Sequence, residues 1–262
     1  MQVATLNGNA HHIAVRGPAN GAAVLLINSL GTDLRLWEPL LPHLPEGWRL
    51  IRYDMRGHGL SACPAAPYSM DELAADAAAL LDHLGVRGAL VVGISIGGMV
   101  AQALAAARPD LTRAVVISNS AARIGTAEVW QDRIRTVRQG GVGALADGVL
   151  ERWFTPAFRS GAEIALWRHM LSRQPAEGYA GCAAALETAD LTERTRGLAL
   201  PALAIAGDHD GSTPPDLVRA TADLIAGARL ELIAGGGHLP HVEQPELYAR
   251  ALTAFAREIG HG

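Results

Sequence analysis

Short, uninterrupted apolar runs recur along this chain at intervals filled by helical patterns. Ala22–Ile27, Arg49–Tyr53, Ala89–Val92, Ala114–Ile117, Ala202–Ala206 and Arg229–Ile233 are each of strand length. Apolar runs without polar alternation belong to parallel strands covered on both faces. Between them, Ser69-Met70-Asp71-Glu72 is a capping box that opens a helix over Met70–Leu84, with Gly85 as its stop. A second helix starts after Ser95 and closes at Pro109, and a third spans Glu243–Glu258. Val3–Leu6 and His12–Arg16 predict a hairpin at the sheet edge. This order predicts an α/β fold with a mostly parallel central sheet and helices on both faces.

Residues 126–190 interrupt the rhythm. They hold helical patterns and no strand, punctuated by Gly140-Gly141, Pro156, Gly161 and Pro175. We read them as a helical cap inserted over the open end of the sheet, with residues 1–125 and 191–262 forming the core. At 262 residues and 49% hydrophobic content, a sizeable core is expected. Gly88–Ala107 runs for twenty positions without a charge, but its central glycines suit a strand, a tight turn and a buried helix better than a membrane span.

Composition removes several chemistries. All 22 basic residues are arginine. Without lysine there is no Schiff-base chemistry, no P-loop lysine and no Ser-x-x-Lys acylation. The net charge of −4, with scattered arginines, gives no footprint for nucleic acid. Cys63 and Cys182 cannot build a disulfide framework and lack metal-ligand spacing. Met1-Gln2-Val3-Ala4 has neither the basic start nor the apolar stretch of a signal peptide, so a cytoplasmic setting is expected.

The chemistry-bearing stretch is Gly93-Ile94-Ser95-Ile96-Gly97, which fits the nucleophile-elbow pattern Gly-x-Ser-x-Gly. The pattern is weak alone and gains weight from its place between the strand run Ala89–Val92 and the helix Met99–Ala107. A serine hydroxyl needs an adjacent base. In elbow hydrolases the partners follow in the order Ser, acid, His. Ala202–Ala206 ends in Gly207-Asp208-His209-Asp210, and Arg229–Ile233 ends in Gly235-Gly236-Gly237-His238. Ser95, Asp210 and His238 thus stand at three strand ends on one sheet edge, where ligands gather in parallel sheets. Asp208 is the competing acid, read as a turn residue. Asn119, after the Ala114–Ile117 strand, offers no carboxylate. His238 and His241 have the spacing of a metal pair, but no carboxylate or cysteine cluster completes it, and no metal is expected.

Further residues carry a family likeness. Asn28-Ser29-Leu30-Gly31-Thr32-Asp33, Trp37 and Tyr53-Asp54-Met55-Arg56-Gly57-His58-Gly59-Leu60-Ser61 resemble the α/β-hydrolases, and Asn28-Ser29 with Leu-Gly-Thr-Asp resembles the 3-oxoadipate enol-lactonases of bacterial aromatic degradation. Trp130-Gln131-Asp132-Arg133-Ile134, Glu151-Arg152-Trp153-Phe154-Thr155-Pro156 and Tyr179–Leu186 are similar to that family too. Ile94 and Ile96 depart from it, since relatives often carry a polar residue or methionine beside the serine. The resemblance implies a Ser95, His238, Asp210 triad, an oxyanion hole from the backbone N–H groups of Leu30 and Ile96, and no cofactor. It implies a small anionic lactone as substrate, with neither nucleic acid nor membrane as partner.

That substrate needs a cation, and here only arginine supplies one. Eight arginines and eight acids lie between Ala121 and Asp190, so the cap is no cationic funnel and a specific residue is required. Arg133 is the first candidate, at the edge of a helical stripe with Trp130, Ile134 and Val137. Trp130 and Trp153 are expected to line the same pocket. Asn28 and Ser29 suit either a loop-holding role or an ordinary turn.

Overall fold

The computed structural model describes all residues, 1–262, and places eight strands in one sheet of order β1-β2-β4-β3-β5-β6-β7-β8. Strands β1 (Gln2–Leu6) and β2 (Asn9–Arg16) form the expected hairpin, and β2 joins β4 (Trp48–Tyr53) antiparallel. From β4 onward every pair is parallel: β3 (Ala22–Ile27), β5 (Ala89–Ile94), β6 (Thr112–Ser118), β7 (Ala202–Gly207) and β8 (Arg229–Ile233). Each residue of β5 and β7 is buried. Because successive side chains alternate between faces, full burial means that both faces of the sheet are covered. Edge strand β8 keeps only Ile233 buried.

Helix α1 (Met70–His83) starts at the capping box, with Ser69 accepting from Glu72 N–H and the Glu72 carboxylate accepting from Ser69 N–H. Helix α2 (Ile96–Ala107) follows β5 directly, so the uncharged stretch at Gly88–Ala107 is strand, turn and helix. No helix is long and apolar enough to cross a membrane.

Between β6 and β7 the chain forms helices and no strand: α3 (Ala127–Gly140), α4 (Ala146–Trp153), α5 (Pro156–Arg159), α6 (Ile164–Ser172) and α7 (Ala176–Thr188), then short α8 (Thr192–Arg196). Their buried faces, including Trp130, Val137, Leu171 and Leu186, belong to the same hydrophobic cluster as the sheet. This segment therefore shares the sheet's core. Helix α9 (Pro215–Ala222) packs Val218 and Ala222 onto Ala204 and Ala206 of β7.

The chain end departs from a single helix over Glu243–Glu258. It divides into α10 (Pro240–Glu243) and α11 (Pro245–Glu258), with Gln244 at φ −134° and ψ 56° between them. Pro245 is the cause. Its ring disfavours the helical conformation at the preceding residue, and its own fixed φ suits the first position of a new helix.

Candidate active site

Ser95 sits between β5 and α2 at φ 58° and ψ −124°, a conformation that strains any residue with a Cβ. The surrounding glycines explain how the turn closes. A Cβ on Gly93 would come within 2.0 Å of Gly97 O, and one on Gly97 within 2.4 Å of Ile27 O. The turn is pinned by Ser95 N–H donating to Ser118 O (3.0 Å) and Ser120 Oγ donating to Ser95 O (2.6 Å).

His238 lies on the glycine loop after β8, and its ring is buried. Its Nδ1 is 2.9 Å from Asp210 Oδ2. A carboxylate only accepts, so Nδ1 carries the proton and Nε2 keeps its lone pair. Its backbone N–H donates to Trp153 O (2.8 Å), and the preceding Gly237 N–H donates to Glu243 Oε2 (2.6 Å). The other Glu243 oxygen accepts from Thr155 N–H and Oγ1, which ties the histidine loop to the segment between α4 and α5.

Asp210 is held by a cage of donors. Its Oδ1 accepts from Ser212 N–H (2.6 Å) and Thr213 N–H (3.0 Å), and its Oδ2 from Thr213 Oγ1 (2.7 Å) and Asn119 Nδ2 (2.8 Å). Burial alone pushes this carboxyl up. The positive charge His238 takes on when protonated, and the hydrogen bonds from His238, Asn119 and Thr213, outweigh it and hold the group below its ordinary value. Asp208 instead pairs with His209 on the exposed surface (2.6 Å) and does not reach His238.

A cavity of about 130 Å³ brings these elements together. Ser95 and His238 open onto it, as do Leu30, Trp130, Arg133 and Trp153. The Leu30 N–H has no acceptor in the protein, and Ile96 is the first residue of α2, where an N–H has no intrahelical partner. Asn28 holds the loop after β3: its Nδ2 donates to Tyr53 O (2.8 Å) and its Oδ1 accepts from Trp37 Nε1 (2.9 Å). Ser29 lines the cavity.

Arg133 lays its guanidinium 4.9 Å from the Trp130 ring centroid, a cation–π contact, while the Trp130 indole N–H donates to Ile124 O. A second arginine, Arg152 of α4, lines the same cavity. Nothing in the sequence sets Arg152 apart from the other arginines of residues 126–190; it stands only within the family likeness of Glu151-Arg152-Trp153-Phe154-Thr155-Pro156. Arg123, Arg135, Arg138 and Arg168 of this region each pair with a carboxylate. Arg133 and Arg152 do not. Burial, then the positive charge of Arg133, hold Arg152 below its ordinary value. Tyr179 of α7 faces both; burial raises its hydroxyl against their pull. Two half-buried cations without a carboxylate partner make a place for an anion.

His241, three residues after His238, is fully buried with its ring centroid 4.5 Å from Trp37 and 5.6 Å from Tyr248. Burial pushes its pKa down to about 3. No group of three or more His, Cys, Asp or Glu side chains is placed to hold a metal ion.

A strained serine at a strand–helix elbow above a mostly parallel sheet, sharing a cavity with a histidine backed by a carboxylate, is the arrangement of an α/β-hydrolase. Residues 22–147 match the family profile for the alpha/beta hydrolase fold. The chain is 37% identical over 252 residues to 3-oxoadipate enol-lactonase 2 of Acinetobacter baylyi, spanning 95% of this chain and 94% of that one. The enol-lactonase from Burkholderia xenovorans LB400 superposes with a TM-score of 0.94 at 37% identity, over 98% of this chain and 100% of the other. A thermophilic esterase from Thermogutta terrifontis, solved with malate bound, superposes at 0.93 with 29% identity over 100% of both chains. The chain belongs to the 3-oxoadipate enol-lactonase family of α/β-hydrolases and is a carboxylic ester hydrolase.

Proposed function

We propose that this enzyme opens a small anionic enol-lactone, 3-oxoadipate enol-lactone, to 3-oxoadipate. The observation that carries the reading is the shared cavity. Ser95 and His238 face it together with Arg133 and Arg152, two cations that no carboxylate of the protein neutralises. A neutral ester has no use for that pair. The lactone's carboxylate does.

In this reading Ser95 Oγ attacks the lactone carbonyl while His238 Nε2 takes its proton, and Asp210 keeps the imidazole oriented and stabilises the imidazolium. The Leu30 and Ile96 N–H groups receive the oxyanion, each worth about 3 kcal/mol by analogy with measured donors. Collapse breaks the bond to the ring oxygen. The enol oxygen leaves as an enolate, a better leaving group than an alkoxide; the proton held on His238 Nε2 passes to it, which gives the ketone after carbon protonation and returns His238 to its neutral form. Water, deprotonated by His238, then cleaves the Ser95 ester and frees the second carboxylate. The sequence of steps uses side chains, two backbone N–H groups and water. Residues 126–190 act as the cap that closes the site, with Trp130 and Trp153 as its apolar walls.

Steady-state turnover of the purified enol-lactone, set beside p-nitrophenyl acetate, tests this. We expect kcat/KM for the lactone to exceed that for the neutral ester by about 10²-fold or more, the worth of a buried charge-assisted contact. Equal values on the two substrates would leave a general carboxylesterase.

A further inference from the structure

The loop that carries Leu30 has one hydrogen-bonded tie at the peptide that follows it. Neither the N–H nor the C=O of Leu30 meets a partner in the protein, whereas Gly31 N–H donates to Nε2 of His58 at 3.0 Å. His58 is fully buried. Its other nitrogen, Nδ1, lies 3.3 Å from Arg56 O, and the Cys182 thiol is 3.9 Å from the same nitrogen. An Nε2 that accepts requires the proton on Nδ1, and Arg56 O is the acceptor for it.

Arg56 is itself fixed. Its Nε and Nη2 donate to the two oxygens of buried Asp76 on α1, at 2.6 and 2.8 Å. A continuous series of bonds thus runs from α1 through Arg56 and His58 to the Leu30–Gly31 peptide. From the opposite side the same peptide is pressed by the helical segment. A Cβ on Gly31, whose φ is 81°, would come within 2.5 Å of Leu171 on α6 and 3.2 Å of Tyr179 on α7. At φ 81° Gly31 disfavours any side chain, and Leu171 and Tyr179 fill the space where one would stand.

We infer that His58 is a positioning residue of the oxyanion loop: as a neutral acceptor for Gly31 N–H, it sets the direction in which Leu30 N–H points into the cavity. The inference rests on Leu30 being an oxyanion donor, as proposed above. Burial lowers the pKa of His58 against the opposing pull of the Arg56 carbonyl and of Asp54 and Asp33, so the accepting form persists at neutral pH. A protonated ring would present a donor to a donor.

The test compares acceptors of different reach. In His58→Gln the amide oxygen can stand where Nε2 stood. His58→Met keeps the volume and removes the acceptor, and His58→Asn keeps a polar group too short to reach Gly31. We expect His58→Gln to hold kcat within about threefold of the parent, and His58→Met and His58→Asn to lose about tenfold or more with KM within about twofold, because an oxyanion donor acts in the transition state. The loss should be similar on the enol-lactone and on p-nitrophenyl acetate, since both pass through an oxyanion. If His58→Met unfolds, His58→Asn against His58→Gln carries the comparison. Equal kcat in the glutamine and asparagine variants, or a loss confined to KM, overturns the inference. Ser95→Ala in parallel separates this outcome from failure of the nucleophile assignment, and the acetate arm separates it from a wrong choice of lactone.

Discussion

His238 Nδ1 stands 2.9 Å from Asp210 Oδ2, whereas Asp208, two residues earlier on the same loop, turns its carboxylate to the exposed ring of His209. The turn separates them. Asp210 N–H donates to Gly207 O, which folds the loop back so that Asp210 meets Asn119 and Thr213 below the histidine. Asp210→Asn should lower kcat by about 10³-fold or more, because an amide in this cage presents N–H to Nδ1 and selects the wrong tautomer. Asp208→Asn should stay within about threefold, as expected for an exposed pair. Steady-state kinetics of both variants decide; the reverse ranking would place the acid at Asp208.

Ser95→Ala should leave the fold intact and remove turnover. The methyl group fits the same backbone, since the strain at φ 58° is already present with serine. The rate should fall by at least about 10³-fold on any ester, as for loss of one triad member. Circular dichroism with a thermal melt verifies folding, and residual activity near that of the parent enzyme would exclude Ser95 as the nucleophile.

Much of this arrangement was legible in the sequence because it depends on local patterns. The strand runs are continuous because both faces of the sheet are covered, and Gly93 and Gly97 are required by carbonyl groups at 2.0 and 2.4 Å. The split at Gln244 was signalled by Pro245, and a helix drawn through it overlooked what proline does to its predecessor. Other features depend on tertiary approach, which periodicity does not encode. Asn119 offers no carboxylate, yet its amide donates to Asp210 across a sequence separation of 91. Arg152 enters the cavity only because α4 runs beside the histidine loop, with Trp153 O accepting His238 N–H. Composition pointed to an arginine in this role but did not distinguish one from a pair.

Arg133 and Arg152 should govern selection for the substrate's charge. Replacing either by methionine keeps much of the apolar stem and removes the cation. KM for the enol-lactone should rise by about tenfold or more for each variant, the scale of a charge-assisted hydrogen bond of roughly 1.5–3 kcal/mol. KM for p-nitrophenyl acetate should change by less than about twofold. Because both guanidiniums line one cavity and would share one carboxylate, the two are coupled, and the double variant should depart from the product of the single losses. Parallel effects on both substrates would remove the pair from carboxylate recognition.

Away from the cavity, Asp76 should make stability depend on pH in a defined direction. It is buried, and although burial pushes its carboxyl up, hydrogen bonds from His11, Arg56 and Asn7 and the Arg56 charge hold it below its ordinary value. A carboxyl whose folded pKa lies below its unfolded one stabilises the fold fully above the unfolded value, about 3.9, and loses that contribution as pH falls through the folded value. Asp76→Asn should therefore destabilise the protein at neutral pH by about 1.5–3 kcal/mol, because Arg56 loses its buried, charge-assisted partner and keeps only Glu72, whose side chain is half exposed. The difference from the parent should hold down to about pH 5 and shrink below about pH 4 as the parent's own carboxyl is protonated. Urea unfolding of both proteins across this range measures it. A difference that stays constant below pH 4 would mean that Asp76 serves by shape and hydrogen bonding, and that its charge contributes nothing to holding α1 against the Arg56 loop.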